Sequence, residues 1–309
     1  MVREPGPTHL HGAPPRTKPG GHLHAFDGSG KPMRHATPGA ATPDAATAAP
    51  QSRNEGMLRR AIMNEYAKMH RLKVLPLYIL MPVGIIGATM FESLGAGLTR
   101  HLTDTDGTAW KLVTACMGAG FSMLMPILLA VIASRQADIE HLGNGWLFQS
   151  TAGLAPGRLC RIKFIATGLP VILVSLLAVM VTTGFALAVG VTGPVPWLRL
   201  AGYAVAVTTV SLIVLAVQLL IASRVENQLA GIGIGLIGFL LANFAGAFPD
   251  WLAYPTLWGA YAKIMPAGYQ GESLVWNDTS YAAVGVLAVI AAVMFLWITA
   301  RFDRMEARS

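Results

Sequence analysis

Six long apolar runs between Val74 and Ala300 contain no Lys, Arg, Asp, Glu or His. They cover roughly Val74–Phe91, Leu112–Ser134, Phe164–Val191, Leu200–Ser223, Leu229–Phe248 and Tyr281–Ala300. Each has the ~18–25 apolar residues that a helix needs to cross a ~30 Å hydrocarbon core. The pattern predicts an all-α polytopic membrane protein with six transmembrane helices. It also limits how such a protein is driven. A carrier powered by a proton or ion gradient keeps ionisable side chains at membrane depth, and these runs have none. Uphill movement of a solute would need energy from outside the chain.

The formal charge of +7 would suggest nucleic acid if the basic residues formed one soluble patch, but they sort by connection instead. Arg3, Arg16, Lys18, Lys31, Arg34, Arg53, Arg59, Arg60, Lys68, Arg71 and Lys73 precede the first run. Arg135, Arg158, Arg161 and Lys163 lie between the second and third, Arg224 in the fourth connection, and Arg301, Arg304 and Arg308 after the last. The alternate connections hold Arg100, Lys111, Arg199 and Lys263. By the positive-inside rule both termini face the cytoplasm. The basic balance then reports topology and anionic lipid, not nucleic acid.

Cys116 falls in the second run and Cys160 in a cytoplasmic connection, so no disulfide is expected. Asn277-Asp278-Thr279 matches a glycosylation sequon, a short match that arises readily by chance. Residues 1–56 are rich in Pro, Gly, Ala, Thr and His and poor in long apolar side chains. Such a segment cannot bury enough surface to offset chain entropy and is expected to be a disordered tail. Its charges are not followed by the apolar stretch of a signal peptide. His9, His11, His22, His24 and His35 offer at most a weak metal site. The plainer readings are a tail, or a true start at Met33 or Met57.

From Met57 to Lys73, Leu58, Ile62, Tyr66 and Met69 recur at helical spacing, with most basic residues off that stripe. This predicts an amphipathic helix in the inner interface, its Lys and Arg tips reaching the phosphates. Glu65 lies near the apolar side, three residues before Lys68. It either pairs locally with that lysine or contacts a cytoplasmic partner. Gly168-Leu169-Pro170 predicts a kink early in the third span. In the fifth, Gly231, Gly235, Gly238, Ala242 and Gly246 recur at close to four-residue spacing, which lets helix backbones approach in a membrane. The string Gly233-Ile234-Gly235-Leu236-Ile237-Gly238 also fits a dinucleotide-binding pattern. It lacks the preceding strand and the acidic residue ~20 positions on, so helix packing is the reading. Between Phe248 and Tyr281, Trp251, Tyr254, Trp258, Tyr261, Tyr269 and Trp276 are interleaved with prolines. These aromatics predict an outer-interface anchor carried on one or two short helices.

The longest cytoplasmic connection, Arg135 to Lys163, mixes acidic, aromatic and small residues. A short helix is expected from Gly145 to Ala152. Trp146 and Phe148 at its start suit insertion into a groove on a soluble partner, because buried aromatics dominate such contacts. Residence in the inner interface is equally consistent.

Glu140-His141, then Trp146, Phe148, Arg158 and Lys163, resembles the coupling loop of permease subunits of type-2 ATP-binding-cassette exporters. Glu65 and Lys68 are similar to that family's Glu-x-x-Lys elbow. The resemblance covers Met57 to about Arg304, with residues 305–309 as a cytoplasmic tail end. The chain departs from it at Gly153, where the family usually has Pro; here Pro156 follows three residues later. Within the family the loop is most similar to permeases exporting lantibiotics and other amphipathic antimicrobial peptides. The resemblance implies a multi-pass subunit of the bacterial plasma membrane, working with two ABC ATPase subunits and a second permease copy or paralogue. ATP and Mg would be held by those partners, with no cofactor on this chain.

No G-x-x-x-x-G-K-[ST] phosphate loop occurs anywhere in the sequence. A non-catalytic subunit is therefore expected, with the 140–163 connection receiving mechanical work. Two other classes stand beside it. A lipid-modifying enzyme would have to use Asp138, Glu140 and His141. A scaffold or sensor would recruit its partner through the same connection without transport.

Overall fold

The computed structural model describes residues 49–71, 73–142, 154–225 and 227–306. The chain divides after Ala49, and the fold of Pro50–Ser309 follows. The histidine pairs of the tail, Trp146, Phe148, Gly153 and the short helix expected over 145–152 lie outside the described residues.

Helix α1, Ala49–Arg71, starts eight residues upstream of the expected Met57. It ends where Val74 N–H reaches back to the Met69 carbonyl, with Lys73 in the left-handed region at φ 55°. The spans follow: α2 (Leu75–Gly95), α3 (Thr108–Leu142), α4 (Pro156–Val189), α5 (Trp197–Ala222) and α6 (Gln228–Phe244). A short segment after α6 carries α7 (Asp250–Ala253) and α8 (Ala260–Lys263), then an antiparallel hairpin of β1 (Ala267–Gln270) and β2 (Ser273–Trp276). The last span is α9 (Tyr281–Glu306).

Among the described residues, six helices are long and apolar enough to cross a membrane. Local chemistry sets their ends. Prolines occupy the first turns of α2 and α4, where a missing N–H costs nothing. Asn227 caps α6 by accepting from Leu229 N–H at 2.9 Å, and Gly190, at φ 101°, terminates α4. The helix α4 runs unbroken through Pro170.

Helix α3 is the centre of the bundle, packing on α2, α5 and α6. Its membrane window is 67% buried, against 22% for α9. Large side chains fill the space around it, among them Phe121, Met125, Leu129 and Tyr203. Gly235 sits so close to α3 that a Cβ there would lie 2.4 Å from Ala130 Cβ, and one on Gly231 would lie 2.5 Å from Ser134 Oγ. Gly238 faces the Trp258 indole, and Ala242 is buried. Gly246 departs from the expected stripe: it lies exposed in a 3-10 turn beyond α6, with nothing within 4 Å of a Cβ.

The segment between α6 and α9 is more than a surface anchor. Trp251 is exposed and Tyr254 and Trp258 are half-buried. Tyr261 is 1% exposed and donates from its hydroxyl to Ser211 Oγ on α5 at 2.9 Å. Tyr261 is thus a core residue and not an interfacial one. A buried phenol needs a partner, and Ser211 supplies it. The hairpin was not expected. Asn277 closes it, its Nδ2 donating to the Met265 carbonyl at 3.0 Å, so the sequon asparagine is used internally.

Candidate functional site

A helix rises about 1.5 Å per residue, so a ~30 Å core is crossed in about 20 residues. Helices α3 and α4 have 35 and 34 residues. Their surplus turns lie at the basic end of the bundle. The connection expected over Arg135–Lys163 is therefore mostly helical: α3 continues to Leu142 and α4 begins at Pro156. Only residues 143–155 lie between the two helices.

Those surplus turns carry charge into the packed interior. Glu140 on α3 and Lys163 on α4 meet Glu65 and Lys68 of α1 in a closed, alternating ring. Lys68 Nζ lies 2.8 Å from Glu65 Oε1 and 2.7 Å from Glu140 Oε1. Lys163 Nζ lies 2.7 Å from Glu65 Oε2 and 2.9 Å from Glu140 Oε1. The two glutamate side chains are 2% exposed, Lys163 is 3% and Lys68 is 21%. Two negative and two positive charges cancel, which is the condition for holding ions away from water. Removing one member leaves an uncompensated buried charge, at a cost of about 3–5 kcal/mol.

Both predicted elbow residues thus form the local Glu65–Lys68 pair and also reach beyond their own helix. Burial works to raise the carboxyl pKa of Glu140, but the Lys163 and Lys68 ammonium groups outweigh it and hold it below the ordinary value. For Lys68, burial works downward, and the hydrogen bonds to Glu140 and Glu65 overcome it and raise the value.

Two further ties hold the stems of segment 143–155. His141 Nε2 lies 3.1 Å from the Ala222 carbonyl at the end of α5. At the start of α4, the Arg158 N–H donates to Asp303 Oδ1 at 3.1 Å, and Arg161 Nη2 donates to Asp303 Oδ2 at 2.9 Å. Arg161 Nη1 donates to Thr299 Oγ1 at 3.1 Å. Gly157 allows this approach, since a Cβ there would clash with the Thr299 carbonyl of α9. Asp303 and Gly157 were missed by the sequence reading. The available signal was an acid set between Arg301 and Arg304, and a glycine directly after the helix-starting Pro156.

Asp138, Glu140 and His141 do not line one common space. Glu140 is enclosed in the ring. Asp138 and His141 border a space of about 10 Å³, room for about one water.

The stems of one short connection are thereby joined to α1, α5 and α9 at the basic end of a six-span bundle. No curated protein is significantly similar to the chain. Residues 61–242, more than half of its length and including all four ring residues, match the family described as ABC-2 family transporter protein. That match spans α1 from its second half through α6, the part of the molecule in which the ring is built. The chain belongs to the ABC-2 transporter family, whose members are membrane components of transporters.

Proposed function

We propose that this protein is the permease subunit of an ABC exporter, driven by ATP hydrolysed on separate ATPase subunits. In this reading the basic end of the bundle faces the cytoplasm of a bacterial cell, as the charge distribution favours. The ATPases press on segment 143–155, carrying Trp146 and Phe148. The Glu65–Lys68–Glu140–Lys163 ring carries the reading, because it ties α1 to both stems of that segment. A push on the connection then moves α1, α3 and α4 together instead of bending one of them.

The apolar runs carry no charged side chain, which suits an amphipathic cargo without selecting its class. The likeness of the 140–163 region to lantibiotic and antimicrobial-peptide exporters favours an amphipathic antimicrobial peptide, with an amphipathic drug as the alternative cargo. Helices α2 and α6, whose apolar stretches are 33% and 28% buried, leave room for a second permease copy or a paralogue.

The test is ATP hydrolysis by the partner ATPase co-reconstituted with the permease. Wild-type permease is expected to stimulate hydrolysis. Glu140→Gln is expected to insert normally and to lose most of that stimulation. Full stimulation by a folded Glu140→Gln protein would remove the ring from the coupling route.

A further inference from the structure

Helices α4, α5 and α9 do not close on one another near the basic end. Between them lies a cavity of about 390 Å³, lined by Phe164, Leu212, Ala216, Ala288, Ala291 and Phe295. The Phe164 and Phe295 rings, 5.1 Å apart, form its floor. Ala288 and Ala291 are too small to fill it, and the exposed side chains of Ile165 and Leu296 border its open side. Within a bilayer this opening faces lipid.

One lining residue is charged. Arg161 marks the end of the cavity nearest the basic face, and other arginines gather there. Arg158 lies one turn before it on α4. Arg301 and Arg304 flank Asp303 on α9, and the Arg224 guanidinium sits 3.8 Å over the ring of Phe302. Asp303 is already shared between Arg161 and the Arg158 N–H. Among the described residues, Arg158, Arg224, Arg301 and Arg304 form no ion pair with a carboxylate. The site is an apolar slot of acyl-chain character under a cationic rim.

We propose that this slot binds an anionic phospholipid, with one acyl chain between α4, α5 and α9 and the phosphate at the arginine rim. A basic pocket between spans attracts anionic headgroups, and the uncompensated guanidinium groups supply that complementarity. A zwitterionic lipid fills the slot equally well but gains less at the rim. The site is distinct from the charged ring and does not depend on the coupling role.

The experiment uses the full-length chain in phosphatidylcholine vesicles with spin-labelled phosphatidylglycerol or phosphatidylcholine. Wild type is expected to retain the phosphatidylglycerol label preferentially. Arg224→Gln with Arg304→Gln should weaken that preference by about fivefold per arginine, while Ala291→Phe should lower retention of both lipids. Equal retention of the two labels by wild type, or unchanged retention in folded Ala291→Phe protein, overturns the proposal. Independently of how those variants fold, a photoreactive residue replacing Ala292 should yield a phospholipid adduct in intact membranes. An adduct with a second copy of the chain, or with a peptide, overturns it.

Discussion

Glu140, two residues from the end of α3, shares one carboxylate oxygen, Oε1, between Lys163 of α4 at 2.9 Å and Lys68 of α1 at 2.7 Å. Three helices meet at that atom. The ring it completes is buried and electrically balanced, so its members stand or fall together.

The first prediction concerns stability. Glu140→Gln leaves two ammonium groups facing Glu65 alone and should destabilise the detergent-solubilised protein by about 3–5 kcal/mol. Lys68→Gln should cost clearly less, because Lys68 is the one member with water access, at 21% exposure. Thermal unfolding of the two variants checks the order.

The ring's geometry makes a second prediction. Exchanging only Glu140 and Lys163 would set like charges beside each other, with lysine next to Lys68 and glutamate next to Glu65. The Glu140→Lys/Lys163→Glu variant should therefore be no better than either single change. Adding Glu65→Lys and Lys68→Glu restores the alternation and should recover part of the lost stability and ATPase stimulation. Recovery in the double variant would mean that the pair acts alone.

The pH dependence has a fixed sign. Glu140 is held below its ordinary value of 4.5, so its contribution is complete above pH 4.5 and is lost as pH falls through the lower folded value. Lys68 is raised above 10.5, so its contribution is complete below pH 10.5 and is lost as pH rises through the higher folded value. Between those limits Glu140 and Lys68 are both charged. The stability difference between wild type and Glu140→Gln should be constant from about pH 5.5 to 9 and should shrink at acid pH, as read by unfolding temperature.

Glycine positions on α6 should differ sharply. Gly235→Val drives a side chain into Ala130 of α3 and should cost about 1–3 kcal/mol or more. Gly246→Ala meets nothing within 4 Å and should be near neutral. Comparing the unfolding temperatures of the two variants checks this.

The spans were legible because membrane helices announce themselves by uninterrupted apolar length, which no packing detail can disguise. Glu65, Lys68, Glu140 and Lys163 were each legible through the family-like pattern of the two segments. Their mutual contact was not, because it joins residues far apart in sequence on three helices. The extent of α3 and α4 was misread for a physical reason. Their last turns are polar, and a hydropathy boundary marks where the hydrocarbon ends, not where the helix does. Tyr261 was misplaced because an amphipathic ring suits either an interface or a core that offers it Ser211. The β1–β2 hairpin was hidden among aromatics and prolines that read as interface.

The most direct measurement is photocrosslinking in living cells, with a benzophenone amino acid replacing Trp146 in the segment between the two ring-bearing stems. The account predicts one dominant adduct, with a polypeptide that carries an ATP-binding phosphate loop, and loss of transport-linked ATP hydrolysis when it forms. Adducts confined to lipid, with ATP hydrolysis unaffected, would contradict it.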